Sequence, residues 1–263
     1  MSDNASKPVI EIEGLCAKIG GKAIFDHLNL TVKRREIIAI IGPSGVGKTT
    51  LLRSILMLLR PESGRIKVFG TDITRCDEET AKAVQRRWGV MFQSGALFSS
   101  LNVVENVIFA LNEESDISHT LMREVALFKI ALVGLSKDAA VKFPAELSGG
   151  MKKRAAMARA IALDPELVFL DEPTAGLDPK SSDEFDSLVL HLREALNLTF
   201  VMITHDLDTL WRVPDRVIFL GEGKVLAACP MHELVKSSHP MIQDYLSTPR
   251  SKERRAVKVG EDG

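Results

Sequence analysis

The 263-residue chain has no apolar run near the roughly 20 residues that a membrane-spanning helix requires. IIAII at 37–41 is too short, and LLRSILMLLR at 51–60 is interrupted by Arg53. The start, MSDNASKP, is polar and shows no secretory leader, so residues 1–8 are expected to be a disordered N-terminus. Such a chain works at a membrane only if something else holds it there. Cysteine is scarce. Cys16, Cys76 and Cys229 are odd in number, far apart and without metal-ligand spacing, which favours a reducing compartment. A formal net charge of -1 gives no electrostatic case for nucleic acid as a partner. Internal repeats, heptads and low-complexity linkers are also lacking. What is present is ordinary for a globular protein: 45% hydrophobic and 26% charged residues, with length enough for a substantial core.

Periodicity divides the chain into three parts. VIEIEGLCAKI (9–19) and AIFDHLNLTVK (23–33) read as strands of an antiparallel region. EIIAIIG (36–42) is a continuous apolar run ending in glycine, which suits a parallel strand buried on both faces. KTTLLRSILMLLR (48–60) follows with helical spacing and stops before Pro61 and Gly64. GRIKVFG (64–70) and WGVMFQ (88–93) are further strands. From approximately 95 to 160 the pattern turns helical, in VVENVIFALNE (103–113) and TLMREVALFKIALVGL (120–135). Strands return at LVFLDE (167–172), FVMITH (200–205) and RVIFLGEGKVLA (216–227), the last a hairpin around Gly221 and Gly223, with a short helix at MHELVKSS (231–238). This predicts an α/β fold: a P-loop NTPase core with a mostly parallel sheet, an N-terminal antiparallel β region and a helical subdomain insertion. The expected folded domain spans 9–248, and 249–263 is a charged C-terminal extension.

GPSGVGKT (42–49) matches G-x-x-x-x-G-K-[ST] between a buried strand and a helix, the context that the motif needs. Gly42, Gly45 and Gly47 permit close backbone approach; in the loop of Gly42, Pro43, Ser44, Gly45, Val46, Gly47, Lys48, Thr49 and Thr50, the amides from Ser44 to Thr50 wrap phosphate oxygens. Lys48 adds a point charge at the β- and γ-phosphates, and Thr49 offers a hydroxyl to Mg²⁺. In LVFLDE, alternation along a strand puts Asp171 and Glu172 on opposite faces, hence in different roles. Asp171 belongs to the metal shell, and Glu172 orients or deprotonates an attacking water. His205 and Gln93 each end an apolar strand. Each is either a polar end cap or, at the C-terminal edge of a parallel sheet, a ligand to phosphate, water or metal. LSGGMKKRAA (147–156) puts a second small-residue run at a helix start, a second anion site in a chain that already has one.

Five pieces now stand in one order: GPSGVGKT, the Gln of MFQSGALF, LSGGM, LVFLDEPTAGLDP and the His of MITHD. Together they resemble the nucleotide-binding subunit of an ABC transporter over about residues 9–235. The resemblance implies an ATPase that uses ATP and Mg²⁺ and works as a head-to-tail homodimer. Ser148, Gly149 and Gly150 of one chain then close on the γ-phosphate held by Lys48 of the other, and Asp178 in the AGLD loop meets the partner along the seam. It also implies Glu172 as base, His205 as γ-phosphate contact, and Gln93 as metal and coupling residue.

Two departures from that family matter. Ile19 stands where an adenine-stacking aromatic is usual, and Met151 stands where the signature usually carries Gln. LSGGM with FQSGALFSSLNVVENV resembles the Mla- and Mce-type ATPases of bacterial lipid transport. That implies an integral-membrane permease, a mammalian-cell-entry domain lipid-binding protein and a small cytoplasmic regulatory subunit as partners. The location implied is peripheral, on the cytoplasmic face of the inner membrane. Leu97 and Phe98 of FQSGALF are expected either in an exposed loop that receives a permease helix or packed within the helical insertion. Another ABC importer or exporter, a soluble assembly ATPase and a chromosome-associated ATPase are the alternatives. The last lacks the room for its long arm.

Overall fold

The computed structural model describes residues 7–114 and 118–247. Most of the expected 1–8 stretch and all of the expected 249–263 extension lie outside these residues. Strand β1 (Ile10–Ile19) turns through Gly20 and Gly21, both at positive φ, into β2 (Lys22–Val32). β3 (Ile37–Ile41) and α1 (Lys48–Ile55) follow, then β4 (Ser63–Val68) and β5 (Thr71–Asp72). α2 (Glu78–Gln85) leads to β6 (Trp88–Met91). Four helices come next: α3 (Val103–Glu114), α4 (His119–Leu132), α5 (Lys137–Ala140) and α6 (Gly149–Ala160). The remainder is β7 (Leu167–Asp171), α7 (Pro179–Leu196), β8 (Thr199–Ile203), α8 (Leu207–Arg212), β9 (Arg216–Gly221), β10 (Lys224–Cys229), α9 (Met231–Leu234) and α10 (Pro240–Leu246).

These strands form two sheets. An antiparallel one has the order β2-β1-β4-β5. A six-stranded one has the order β10-β9-β3-β8-β7-β6, parallel except for the β9–β10 hairpin. The run IIAII explains itself here. Ile38 and Ile40 pack with α1 and the antiparallel sheet, while Ile37, Ala39 and Ile41 pack toward the helices on the other face. All five are fully buried, at roughly 1.5–3 kcal/mol for each large side chain. The continuous apolar pattern of a two-faced parallel strand thus reads correctly.

α1 departs from expectation. It ends at Ile55, not near Arg60, and Leu58 is exposed. Met57 sits at φ 59°, its N–H donates to Ser54 O (3.3 Å), and Leu58 N–H donates to Arg53 O (2.8 Å). That is a Schellman-type stop with Met57 in the left-handed position usually held by glycine. The apolar residues 56–59 continued the pattern beyond the helix that they end.

Candidate active site

β3 delivers the chain into the 42–50 loop at the C-terminal edge of the parallel sheet, where α/β folds bind ligands. Gly42 lies at φ 145°, and a Cβ there would stand 2.4 Å from Leu220 O. Gly47, at φ 108°, would push a Cβ to 2.5 Å from Ile24 Cγ2 and 2.8 Å from the Phe25 ring. Both must be glycine for the loop to sit where it does. α1 starts at Lys48, so its first amides have no intrahelical acceptor and, with the helix dipole, favour an anion. Lys48 Nζ donates to Gly42 O (2.7 Å) and Pro43 O (2.9 Å), folding back over the loop. Burial holds its pKa below the ordinary lysine value, and the Glu172 charge opposes that shift. Ser44, Gly45 and Thr49 are exposed, whereas the Thr50 side chain is buried.

The carboxylates sit next door. β7 ends at Asp171, and Glu172 has left the strand, at φ 47°, with its N–H donating to Ile203 O (2.9 Å). The expected opposite-face arrangement therefore does not apply, because alternation holds only while the backbone stays extended. Glu172 Oε2 lies 2.9 Å from His205 Nδ1, the carboxylate largely buried and the imidazole largely exposed. Burial, then the Glu172 charge, push the Asp171 carboxyl above its ordinary pKa, against Arg53 and Lys153. Gln93 and Asp171 line one open cleft of about 550 Å³ with Phe92, Ser94, Ala175 and Gly176. Gln93 and His205 stand on loops, since β6 and β8 stop two residues before each.

The second glycine run lies elsewhere. Ser148 caps α6, its Oγ accepting from Met151 N–H (3.2 Å). Cβ atoms added at Gly149 and Gly150 would have Leu177 Cδ2 (3.2 Å) and Ser181 Oγ (3.5 Å) as nearest neighbours, not the 42–50 loop. Asp178 caps α7: it accepts from Ser181 N–H (3.0 Å) and Ser181 Oγ–H (2.6 Å), bonds that hold its carboxyl below the ordinary range. Ser148, Gly149 and Asp178 are exposed. The structure thus brings Lys48, Asp171, Glu172, His205 and Gln93 together, and sets Ser148, Gly149, Gly150 and Asp178 beside one another at a separate place.

FQSGALF divides between the two expectations. Leu97 is half-buried against the helical core, as the packed alternative expects. Phe98 is exposed and stacks at 4.6 Å on Phe109, also exposed. Ile19 is exposed at the end of β1. Two side chains near the site escaped sequence reasoning. Lys153 Nζ donates to Gln93 O (2.6 Å) and Glu172 O (3.2 Å). Its signal was available: Lys153, Ala156, Met157 and Ala160 share the buried face of α6 at helical spacing. Tyr245, on α10, lies beside the Gly42 amide; burial pushes its phenol pKa up, and that amide acts the other way. Nothing in the polar stretch around it announced that contact.

Comparison with known proteins places this geometry. The ABC transporter family model matches residues 25–175. The chain is 43% identical to the Haemophilus influenzae intermembrane phospholipid transport system ATP-binding protein MlaF, over 90% of each. It is 37% identical to the probable ribonucleotide transport ATP-binding protein mkl of Mycobacterium bovis, over 92% of this chain and 67% of that one. Among solved structures it is similar to the dimeric, post-hydrolysis ATP-binding cassette MJ0796 bound to ADP and Pi. The TM-score is 0.76 at 29% identity, covering 84% of this chain and 98% of the other.

Proposed function

This chain belongs to the ABC transporter family of ATPases, and from that premise we propose that it is the energy-coupling subunit of a phospholipid transport system. One observation carries the reading. Lys48, Glu172 and His205 converge, while Ser148, Gly149 and Gly150 face outward beside Asp178. Each chain then holds half of two sites. A homodimer set head to tail closes both, with two ATP between the copies, as the dimeric cassette neighbour supports.

In that closed site the loop from Gly42 to Thr50, including Pro43, Ser44, Gly45, Val46 and Gly47, cradles the phosphates. Lys48 swings from its two carbonyls to the β- and γ-phosphates. Ser148, Gly149 and Gly150 of the partner copy clasp the γ-phosphate from the far side. Glu172 accepts the proton of the attacking water, a role worth about 10²–10⁴-fold in rate. His205, already 2.9 Å from that carboxylate, contacts the γ-phosphate, and Asp178 reaches across the seam. Thr49, Gln93 and Asp171 offer hard oxygen donors that fit Mg²⁺. Burial, and after it the Glu172 charge, raise the Asp171 pKa, and a divalent cation bound there would relieve the repulsion between the two carboxylates. When bound, the ion neutralises charge on the phosphates.

No helix among the described residues is long and apolar enough to cross a membrane. As the phospholipid-transport reading implies, the chain sits peripherally, on the cytoplasmic face of the inner membrane, under a permease. Residues of approximately 95–160 form the helical subdomain, and its exposed Phe98 and Phe109 beside the Gln93 loop give a permease helix an apolar seat. A mammalian-cell-entry domain lipid-binding protein and a small regulatory subunit complete the complex. Affinity purification from detergent-solubilised membranes, with mass spectrometry, tests this: permease, lipid-binding protein and phospholipid are expected together. A chain recovered with no permease sinks the reading. The name of the mycobacterial relative supports a second one, with ribonucleotide as cargo, and the co-purified small molecule decides between them.

A further inference from the structure

We propose that Lys153 is a positioning residue that ties the outward Ser148–Gly150 clasp to the hydrolytic carboxylate of its own chain, so that one helix links both nucleotide sites of the dimer. The proposal rests on the split-site reading above.

Lys153 lies one turn beyond Gly149 on α6, with only 7% of its surface exposed. A buried ammonium needs partners for its N–H groups. It finds them in two carbonyls from different segments: Gln93 O (2.6 Å), after β6, and Glu172 O (3.2 Å), after β7. The charges of Glu172 and Asp171 favour it there, while burial acts against it. Further along the same helix Arg159 donates to Ala96 O (2.6 Å) and Gly95 O (3.0 Å). A Cβ at Gly95 would stand 3.3 Å from Ala156 Cβ, so that loop lies flat on α6. Gly89 lets Ala160 O approach so closely that a Cβ would meet it at 1.9 Å. α6 is thus bolted to the Gln93 loop at several points, and to the Glu172 turn through Lys153.

The Glu172 backbone makes this bond consequential. Its φ of 47° is a conformation that side chains other than glycine rarely take. Three hydrogen bonds hold it there: its N–H donates to Ile203 O, and its carbonyl accepts from Ala175 N–H (3.2 Å) and from Lys153 Nζ (3.2 Å). The start of α6 points outward to the partner's triphosphate. A shift of α6 as that phosphate arrives or leaves is transmitted by Lys153 to the carboxylate of the other site.

Lys153→Met keeps the length of the side chain and removes its donors. We expect kcat to fall at least tenfold while the Kd for a fluorescent ATP analogue stays within about twofold, with Lys153→Arg recovering at least half of the rate. Dimers with Lys153→Met in one protomer, isolated with two different tags, are expected below about a quarter of the wild-type rate, because one broken link disturbs both sites. A wild-type kcat for Lys153→Met, or no gain from Arg over Met at equal melting temperature, overturns the proposal. Mixed dimers at half rate overturn it as well, since the role is then local to one site. If Lys153→Met melts below the assay temperature, Lys153→Leu, which also lacks a donor, takes its place under the same criteria. Glu172→Gln with Lys153 intact runs beside these: full activity there refutes the assignment of the base, independently of Lys153.

Discussion

Two helices of this chain begin on glycine, for different reasons. At the start of α1, Gly42 and Gly47 have positive φ, and any Cβ would strike Leu220, Ile24 or Phe25 at under 3 Å. At the start of α6, Gly149 and Gly150 have neither constraint: the nearest atoms to an added Cβ are side chains at 3.2 and 3.5 Å. The first pair is demanded by the fold of the chain itself. Among the described residues the second pair meets only the Leu177 and Ser181 side chains, which can give way, and on the proposed reading its requirement lies with the nucleotide of another copy. Local packing thus separates an internal requirement from an external one.

The sharpest attempt to break this contrast is Glu172→Gln. If the two glycine starts meet only in a closed dimer, turnover drops about 10²–10⁴-fold, and ATP traps a dimer visible by size-exclusion chromatography. Full turnover removes the base and the trap together. Next come paired substitutions. Gly47→Ala should cost on the order of 1–3 kcal/mol from backbone strain alone, a fall of about 5 °C or more in Tm, and lose ATP binding. Gly150→Ala should leave Tm unchanged or slightly higher, since alanine suits a helix better by about 0.5–1 kcal/mol, yet lower ATPase at least tenfold. Equal melting losses for both would erase the distinction.

A smaller effect concerns α7, which starts beside the clasp and is latched to α8 behind His205. The Asp186 carboxylate accepts from Thr209 Oγ1 (2.9 Å) with Arg212 at 3.4 Å, and burial pushes its pKa up to about 6. The folded state therefore binds more protons than the unfolded one between pH 3.8 and about 6. Stability falls as pH rises through that window, by on the order of 3 kcal/mol, and this contribution is flat above it. Asp186→Asn should remove that slope, read as the change in urea midpoint between about pH 4.5 and about pH 7.5. The smallest effect is expected at Ile19, exposed at the end of β1. Ile19→Tyr restores a ring for the base to stack on and should tighten ATP a few-fold, by equilibrium titration, out of the roughly 1–3 kcal/mol that full stacking contributes.

The sequence was most legible where one local rule decides the outcome. A five-residue apolar run became a strand buried on both faces, and the glycine loop sat where its motif requires. It was least legible where chain segments meet. Glu172 looked like one more strand residue, because periodicity does not show where a backbone leaves extension. Lys153 drew no reading of its own, although its spacing with Ala156 and Ala160 already turned it inward. α10 with Tyr245 lay in polar sequence whose docking against Gly42 depends on residues two hundred positions earlier. The outward face of Ser148 to Gly150 was expected from resemblance, and the physical reason for it appears only in the packing.

The position of β3 carries one more consequence. Its two sheet neighbours are β8 and β9, so the first edge of IIAII is covered only about 160 residues later and the second about 180. At typical synthesis speeds the first of these waits is on the order of ten to thirty seconds. Throughout that interval the growing polypeptide carries a bare, highly apolar ribbon with both hydrogen-bonding margins open. Translation pace and chaperone supply, more than the finished molecule's equilibrium stability, then govern how much active ATPase a cell obtains.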